Sequence, residues 1–419
     1  MGKQSRREGR RARKKTEVRP EWASLEAFAR LRIQGWLQDL LEEEVTQLLG
    51  RQKSERCVGV DATAGYRNGY GKPRRVAMTA GTIEVQRPRV RGVEERFESR
   101  VLPLFKRRTE EVGALLPELY LHGLAQGDFE LALRGLLGAG APLSASSIQR
   151  LREKWQDEFA AWKTTRLDQL DVVYAWADGL YVKAGLEDAK AALLVIVGAL
   201  KDGRKVVLAV ESGQRESSEA WARILRDLRE RGLKPWKATV ADGHLGIWGA
   251  LRTVALSDAE LRCWNHKIVN VLDHFPLKLQ AEAKALLRVM PYAKTQAECE
   301  RLRDEFGARY RKAYPKAVQT LGRDWERMVA FYAFPKAHWI HLRTTNIVES
   351  PFAAVRLRTS AAKRFKKVEN AEALIWKLLM LAERTFRRLN GPRLMKEVYA
   401  GKKFVDGVAV KPAPRRLAA

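Results

Sequence analysis

Two strand-like segments of the sequence place carboxylates where apolar side chains are expected. Side chains alternate across a strand, so Trp176 and Asp178 share one face of the segment 172–184. Asp242 directly follows a second apolar segment, 237–241. An unpaired carboxylate among apolar neighbours costs on the order of several kcal/mol unless it is paired or binds a metal. Two acids that converge from one sheet therefore predict a site for a divalent cation.

Aspartate followed by glycine is also a common turn signal, and this alternative stays open on spacing alone. Asp202-Gly203 fits a turn, because a new strand-like segment starts directly after it. Asp178-Gly179 does not, since the strand pattern continues beyond it. Asp242-Gly243 is followed by a helical pattern rather than by a returning strand.

A third acid, Glu349, lies in a polar cluster that precedes a helical pattern. Asn346 as N-cap and Glu349 three residues later would form a capping box, which is a structural role. A helix that begins at Ser350-Pro351 would instead free Glu349, because proline is tolerated in the first turn of a helix. The local pattern leaves both interpretations open.

The elements that must hold these acids alternate between strand and helix. Three strands are predicted first, followed by a helix, a strand, a helix and a strand. Their ranges are 172–184, 191–200, 204–211, 216–233, 237–241, 245–256 and 260–264. Residues 266–340 and 351–389 are predicted to be helical. This order predicts an α/β domain in which a helical stretch separates Asp242 from Glu349.

The region before residue 165 is predicted to be mainly helical. The apolar spacing indicates a helix over 24–50, and the Gly- and Arg-rich segment 65–91 suits either nucleic acid binding or a surface hairpin. Three further helices are predicted at 110–123, 128–137 and 146–159. They form either a helix-turn-helix for DNA or a small bundle that links two domains.

The charge of the chain predicts a polyanionic partner. Its 419 residues carry 78 Lys and Arg against 50 Asp and Glu, a formal net charge of +28. Nine basic residues fall within the first twenty, which predicts a disordered basic arm over 1–23. Residues 350–419 hold 17 basic and five acidic residues. Lys and Arg gain binding free energy on DNA by releasing counterions from phosphates.

Several classes of function are excluded by what the sequence lacks. No apolar run of 18 or more residues occurs, so we expect no membrane insertion. No phosphate-binding G-x-x-x-x-G-K-[ST] loop occurs, so we expect no ATP-driven chemistry by that route. Only Cys57, Cys263 and Cys299 are present, which predicts a reducing, cytoplasmic compartment.

Motifs along residues 25–390, in this order, resemble the Mutator-type transposases of bacterial insertion sequences, which are members of the DDE class. The segments that carry the resemblance are Gly65–Tyr70, Arg87–Arg89, Asp178–Lys183, Glu211 with Trp221, Asp227–Gly232, Asp242–Gly246, Cys263–Lys267 with Asn270, and Thr344–Glu349 with Arg356 and Arg358. Ser350-Pro351-Phe352 departs from the pattern of many relatives, where Arg and other polar residues follow the Glu. The basic arm and the last 30 residues lie outside the resemblance.

The resemblance implies a ribonuclease H-like mixed-sheet catalytic domain, 166–265 with 341–390, interrupted by an α-helical insertion, 266–340. A DNA-end-binding region, 24–165, would precede it, and a basic tail, 391–419, would follow. The resemblance also implies Asp178, Asp242 and Glu349 as the catalytic, metal-binding triad; the first two were reached independently by strand alternation. Carboxylate oxygens select Mg²⁺ or Mn²⁺, and a two-ion site suits cleavage and joining of phosphodiester bonds.

The expected partners are double-stranded DNA, as terminal inverted repeats and as target, and further copies of the chain in at least a dimer. Two other functions are alternatives: a catalytically silent, domesticated transposase that only binds DNA, and a structure-specific nuclease. Three intact acids disfavour the first, and a DNA-end-binding region disfavours the second.

Further residues are predicted to support the site or to bind DNA. Cys263-x-x-His266 suggests zinc, but a structural zinc site normally needs four ligands and no matching second pair occurs. His266 is expected to contact DNA or to brace the site. Trp325 is either a core residue or a platform for an unstacked base. The basic residues near Glu349 are either a solvated face or phosphate contacts; they are Arg356, Arg358, Lys363 and Arg364.

Overall fold

A computed structural model describes residues 25–56, 64–94, 96–103, 106–124, 128–138, 141–142, 145–184, 190–213, 217–243, 246–362 and 364–410. The predicted basic arm, Cys57, Lys363 and the last residues of the predicted tail lie outside these ranges. The chain divides into two compact units, Met1–Leu119 with Gln126–Ser147 and Tyr120–Ala125 with Ile148–Ala419. The boundary at residue 147 falls earlier than the predicted limit at 165.

The first unit is built on one long helix and two small antiparallel strand pairs. The elements in order are α1 (Leu25–Leu49), β1 (Tyr66–Tyr70), β2 (Arg74–Met78), β3 (Gly81–Val85), β4 (Pro88–Arg91), α2 (Glu110–Leu121) and α3 (Phe129–Leu137). β1 pairs with β4, and β2 pairs with β3. Leu41 of α1 is buried in one apolar cluster with Ile83 and Val85 of β3. The predicted helix 24–50 and the hairpin alternative for 65–91 are confirmed.

The second unit contains a five-stranded mixed sheet. Its first elements are α4 (Ala145–Lys163), β5 (Val172–Lys183), β6 (Lys190–Leu200), β7 (Lys205–Gly213), α5 (Ser218–Glu230), β8 (Ala238–Ala241), α6 (Ile247–Val254) and β9 (Glu260–Arg262). The strand order is β7-β6-β5-β8-β9. β5, β6 and β7 are antiparallel, whereas β5, β8 and β9 run parallel. The predicted order of strands and helices is confirmed.

The two faces of β5 are covered by different parts of the chain. Ala175 and Ala177 lie in an apolar core with residues of α5 and α6. On the opposite face the Tyr174 hydroxyl hydrogen-bonds to His338 over 2.8 Å, and the Trp176 indole donates to the carbonyl of His341 over 2.9 Å. The alternation assumed from the sequence is therefore correct, and Asp178 belongs to the face of the tyrosine and the tryptophan.

Helices dominate the rest of the second unit. They are α7 (Trp264–Leu272), α8 (Leu277–Val289), α9 (Gln296–Tyr310), α10 (Pro315–Gly322), α11 (Trp325–Val329), α12 (Trp339–Leu342), α13 (Asn346–Glu349), α14 (Phe352–Ala362), α15 (Val368–Glu383) and α16 (Pro392–Tyr399), followed by the hairpin strands β10 (Phe404–Val405) and β11 (Val408–Ala409). The helical stretch predicted between Asp242 and Glu349 is confirmed. Among the described residues no helix is long and apolar enough to span a membrane.

One prediction about the C-terminal region is wrong. The helical region 351–389 is interrupted between α14 and α15, where the Phe365 amide donates to the carbonyl of Lys183 and extends the sheet edge. Within the predicted basic tail, 391–419, residues up to 410 form α16 and the hairpin of β10 and β11, whereas the flexible stretch predicted for 411–416 lies outside the described residues. Met395 of α16 is buried, and the amide of Gly407 donates to the carbonyl of Tyr332. Apolar anchors within a basic stretch account for this order.

The second half of α4 packs within the second unit. Phe159 and Trp162 contact Trp376 of α15, with ring centroids 5.5 and 5.9 Å apart. Lys377 of α15 forms an ion pair with Glu158 over 2.5 Å. These contacts assign this half of the helix to the second unit, whereas the helix-turn-helix and the linking bundle both remain predictions.

Candidate active site

Asp178 lies in β5, and Asp242 directly follows the neighbouring parallel strand β8. In the register of β5 and β8, Ala177 is the partner of Ala241, so the residue after each of these alanines is an aspartate. Neighbouring strands lie about 4.8 Å apart, and residues in register point to the same face. From this register we expect the two carboxylates to lie close together on one face of the sheet. The turn interpretation of Asp178-Gly179 is wrong, because β5 continues to Lys183.

One oxygen of Asp242 lacks a partner. Its Oδ1 atom is buried, and no hydrogen-bond donor within the described ranges satisfies it. A buried charged oxygen without a partner carries a large desolvation cost, which a cation would offset. The donor set on this face is made of hard carboxylate oxygens, and Mg²⁺ and Mn²⁺ prefer such ligands. The residues present thus fit a divalent cation.

Glu349 ends the short helix α13, which packs on β5 and β6. The N-cap of this helix is Thr345 and not Asn346, as the capping-box interpretation required. The Thr345 hydroxyl donates to Oε1 of Glu349, four residues later. Pro351 separates α13 from α14, where its missing N–H breaks no helix interior.

A thiol, an imidazole and a carboxylate gather around the Thr345 hydroxyl. The ligand atoms of Cys263, His266 and Glu349 all lie within 4.8 Å of one another, a spacing that a metal ion could bridge. Thr345 Oγ1, however, lies 3.2 Å from Cys263 Sγ and 3.4 Å from His266 Nδ1, and it bonds to Glu349. The position among the three groups is occupied by a hydroxyl, which disfavours zinc there.

His266 lies beside Glu349. Its Nδ1 is 3.9 Å from Oε1 of Glu349, and the side chain is about one-third exposed. The hydrogen bond with Cys263, together with the negative charges of Asp242 and Glu349, raises the pKa of His266 to about 9 against the opposing effect of burial. An imidazole with this pKa is a cation at neutral pH, so it offsets part of the negative charge of the carboxylates.

Several hydrogen bonds join the segment Cys263–Lys267 to the segment Arg343–Asn346. The Trp264 amide donates to the carbonyl of Arg343 over 2.8 Å, and the Asn265 amide group donates to Oδ1 of Asn346 over 3.2 Å. The amide of Thr345 donates to Cys263 Sγ over 3.4 Å. The start of α7 therefore fixes where α13, and with it Glu349, meets the sheet.

An ion-pair network links the helical insertion to the loop of Asp242. Arg262 of β9, with 6% of its side chain exposed, pairs with Asp324 over 2.6 Å. Asp324 also pairs with Arg327, which pairs with Glu260 of β9. The Arg262 guanidinium lies against Gly243, where an added Cβ would meet it at 2.3 Å. Only a glycine allows this close approach next to Asp242.

Sequence reasoning missed Thr345, Arg262 and Asp324. For Thr345 a signal existed, because residues four apart share one helix face and Thr345 stands four before Glu349. Arg262 and Asp324 are 62 residues apart and carry no local pattern. Asp324 has φ 59°, which Asp tolerates better than most residues, but a single aspartate does not reveal that geometry in a sequence.

Trp325 is a core residue at the base of the insertion. It is 9% exposed, and its ring makes an edge contact with Trp264 at 5.8 Å. The Arg303 guanidinium lies 4.7 Å from the ring centroid. The indole N–H is buried and lacks a hydrogen-bond acceptor in the described part of the chain. This environment supports the core interpretation.

The basic residues after Glu349 differ in exposure. Arg356 and Arg364 are exposed, whereas Lys363 lies outside the described residues. Arg358 is only 3% exposed, and its guanidinium stacks 3.8 Å from the ring centroid of Tyr120. Burial fits Arg358 for support of the helix rather than for direct contact with DNA.

Known proteins similar to this chain are transposases. The family model "Transposase, Mutator family" matches residues 8–388. The transposase for insertion sequence element IS6120 of Mycolicibacterium smegmatis is 42% identical over 70% of this chain and 91% of its own length. The transposase for insertion sequence element IST2 of Acidithiobacillus ferrooxidans is 38% identical over 66% of this chain and 94% of its own length.

More distant matches extend over a larger part of the chain. The transposase for insertion sequence element IS256 in transposon Tn4001 of Staphylococcus aureus is 24% identical over 81% of this chain and 86% of its own length. Among solved structures, a chain of a simian T-cell lymphotropic virus intasome matches 50% of this chain and 63% of its own length. Its identity is 15% and its TM-score is 0.18, which is too low to indicate a shared fold. On the family match and on its close relatives, this chain belongs to the Mutator family of transposases.

Proposed function

We propose that this transposase binds the terminal inverted repeats of its insertion sequence and catalyses metal-dependent strand cleavage and strand transfer through Asp178, Asp242 and Glu349. The observation that carries the proposal is the register of β5 and β8, which pairs Ala177 with Ala241, the residues directly before Asp178 and Asp242, while α13 packs on β5. A protein that only bound DNA would gain nothing from carboxylates there, because they repel phosphates.

The three carboxylates would hold Mg²⁺ or Mn²⁺, with two ions as the expected number. When bound, such ions activate the attacking water or 3′-hydroxyl and stabilise the leaving 3′-oxygen of an in-line displacement. The unpartnered Oδ1 of Asp242 supports this assignment. The chain itself contributes by fixing the carboxylates on the sheet and by excluding water from the side where Trp176 is buried.

The neighbouring residues have separate roles in the proposal. His266, held as a cation, would draw a DNA phosphate towards the acids and brace Glu349. Arg356 and Arg364 are exposed and close in sequence to Glu349, and with Lys363 they would contact the DNA backbone. Arg358 would support their helix from inside. Trp325 is proposed to stabilise the base of the insertion, with base stacking as the alternative.

The proposal includes a ribonuclease H-like catalytic domain and a homo-oligomer of at least two copies. The three antiparallel strands followed by two parallel ones, with helices on the far face, support this fold assignment. Two transposon ends must be joined to the target together, which needs two active sites. A catalytically silent DNA-binding protein is the alternative; the presence of all three acids disfavours it.

The test is cleavage and strand transfer on linear DNA that ends in the flanking inverted repeats, with Mg²⁺, with Mn²⁺ and with chelator. We expect Asp178→Asn, Asp242→Asn and Glu349→Gln each to lose at least about 100-fold in cleavage rate while end binding persists in a gel-shift assay. Asp304→Asn, on the exposed face of α9, is the matched control. Full activity in all three site variants would refute the assignment, and binding without any cleavage by the wild type would favour the silent alternative.

A further inference from the structure

Thr345 is completely buried, and its hydroxyl contacts three different polar groups. The neighbours of Oγ1 are Oε1 of Glu349, Sγ of Cys263 at 3.2 Å and Nδ1 of His266 at 3.4 Å. A hydroxyl has one proton to donate and two lone pairs that accept. Only one of the three neighbours can therefore receive the proton, and the other two must donate to the oxygen.

The chemistry of the three neighbours decides the direction of each bond. The carboxylate is the strongest acceptor, so the Thr345 proton goes to Glu349. The imidazole Nδ1–H and the Cys263 thiol then donate to Oγ1. The thiol sulfur meanwhile accepts the backbone amide of Thr345 at 3.4 Å. In this arrangement each polar group in the cluster has a partner, as buried groups require.

We infer that Thr345 is a positioning residue, whose hydroxyl holds Oε1 of Glu349 and thereby presents Oε2 to the metal. Cys263 and His266 act through it, because both fix the oxygen that donates to the carboxylate. The Cys-x-x-His pair is then part of a hydrogen-bond relay to Glu349 rather than a zinc site. This inference rests on the proposed function, in which Glu349 is a metal ligand.

Without the hydroxyl, Glu349 can rotate about its side-chain torsions, and the metal must restrict them on binding. A hydrogen bond to a charged group contributes enough for about a tenfold change in an equilibrium constant. We therefore expect Thr345→Val, which has nearly the same shape but no donor, to weaken metal binding about tenfold. Thr345→Ser keeps the hydroxyl and is expected to stay within about twofold of the wild type.

The experiment measures Mn²⁺ binding to the full-length protein by electron paramagnetic resonance, alongside the Mg²⁺ concentration that gives half-maximal end cleavage. Thr344→Val is the matched control, since Thr344 precedes Thr345 and makes none of its contacts to the cluster. Circular dichroism checks folding, and Thr345→Ala replaces the valine variant if that one does not fold. We expect the variant without a hydroxyl to bind Mn²⁺ more weakly and to need a correspondingly higher Mg²⁺ concentration for half-maximal end cleavage.

Two outcomes would overturn the inference: wild-type Mn²⁺ binding in Thr345→Val, or equal losses in the valine and serine variants, which would assign the effect to packing. Glu349→Gln separates these failures from that of the proposed function. If Glu349→Gln binds Mn²⁺ and cleaves as the wild type does, the triad itself is wrong. If it loses both while Thr345→Val is unchanged, only the positioning role fails.

Discussion

Replacing Asp324 with Asn should destabilise the second unit and weaken its active site. Asn tolerates the φ of 59° at this position and has the same shape, so the change removes the charge alone. The Arg262 guanidinium, 6% exposed, would lose its only ion pair among the described residues, whereas Arg327 would keep Glu260 at 2.6 Å. The perturbation is therefore specific to the contact that supports the Asp242 loop.

The expected loss is about 2 kcal/mol. Removing one partner of a fully buried ion pair costs about 3–5 kcal/mol. The Asp324 side chain is 24% exposed, and the Asn carbonyl still accepts a hydrogen bond, so part of this cost is avoided. For a unit of this size about 2 kcal/mol corresponds to a fall in Tm of roughly 4–8 °C.

The assay is thermal and urea unfolding, followed by tryptophan fluorescence, because Trp264 and Trp325 lie beside the network. The control is Asp304→Asn, which breaks the surface pair with Arg303, where Asp304 is 68% exposed. That variant should stay within about 0.5 kcal/mol of the wild type. Equal Tm values for the two variants would refute the claim that the Arg262 pair supports the fold. End cleavage by the folded Asp324→Asn protein should also decrease, since Arg262 contacts Gly243.

Three further predictions follow from burial, charge and space. Trp325→Ala should cost about 3–5 kcal/mol, and end cleavage retained by its folded fraction would exclude base stacking. The pKa of His266 is raised to about 9, so its contribution to stability is complete below pH 6.5 and is lost as the pH rises through 9. In metal-free protein, the difference in Tm between the wild type and His266→Gln should therefore decrease between pH 6.5 and 9. A Tm difference that stays constant over this range would contradict the prediction. Gly198→Ala, whose Cβ would meet Leu208 at 2.6 Å, should lower the free energy of unfolding by about 1–3 kcal/mol. Gly135→Ala, in open space on α3, should raise it by about 0.5–1 kcal/mol. Unfolding in urea measures both changes.

The sequence predicted the elements of the second unit because their signals are local. A buried run such as Ala191–Leu200 and the alternation around Trp176 depend on neighbouring residues only. The register of β5 against β8 has no such signal, yet it brings Asp178 and Asp242 together. The strand alternation predicted the face on which each aspartate lies, whereas the pairing of β5 with β8 could be read only from the structure.

The missed features depend on contacts between distant residues. The Cys263 sulfur and the Thr345 hydroxyl are 82 residues apart, and no local sequence pattern predicts their contact. The helix and hairpin within 391–410 were missed for a different reason: the net positive charge over 391–419 hid the few apolar residues, such as Met395, that are buried in the unit. Charge averaged over a segment predicts its partners better than its order.

The long insertion between Asp242 and Glu349 leaves the site intact because its two ends are joined. The Trp264 amide bonds to the carbonyl of Arg343, so the chain returns beside the point where it left the sheet. Closing a longer loop costs little, about 0.6 kcal/mol for each doubling of its length. The position of Glu349 thus depends on the junction of α7 with the segment that leads into α13, and not on the extent of the helices between them.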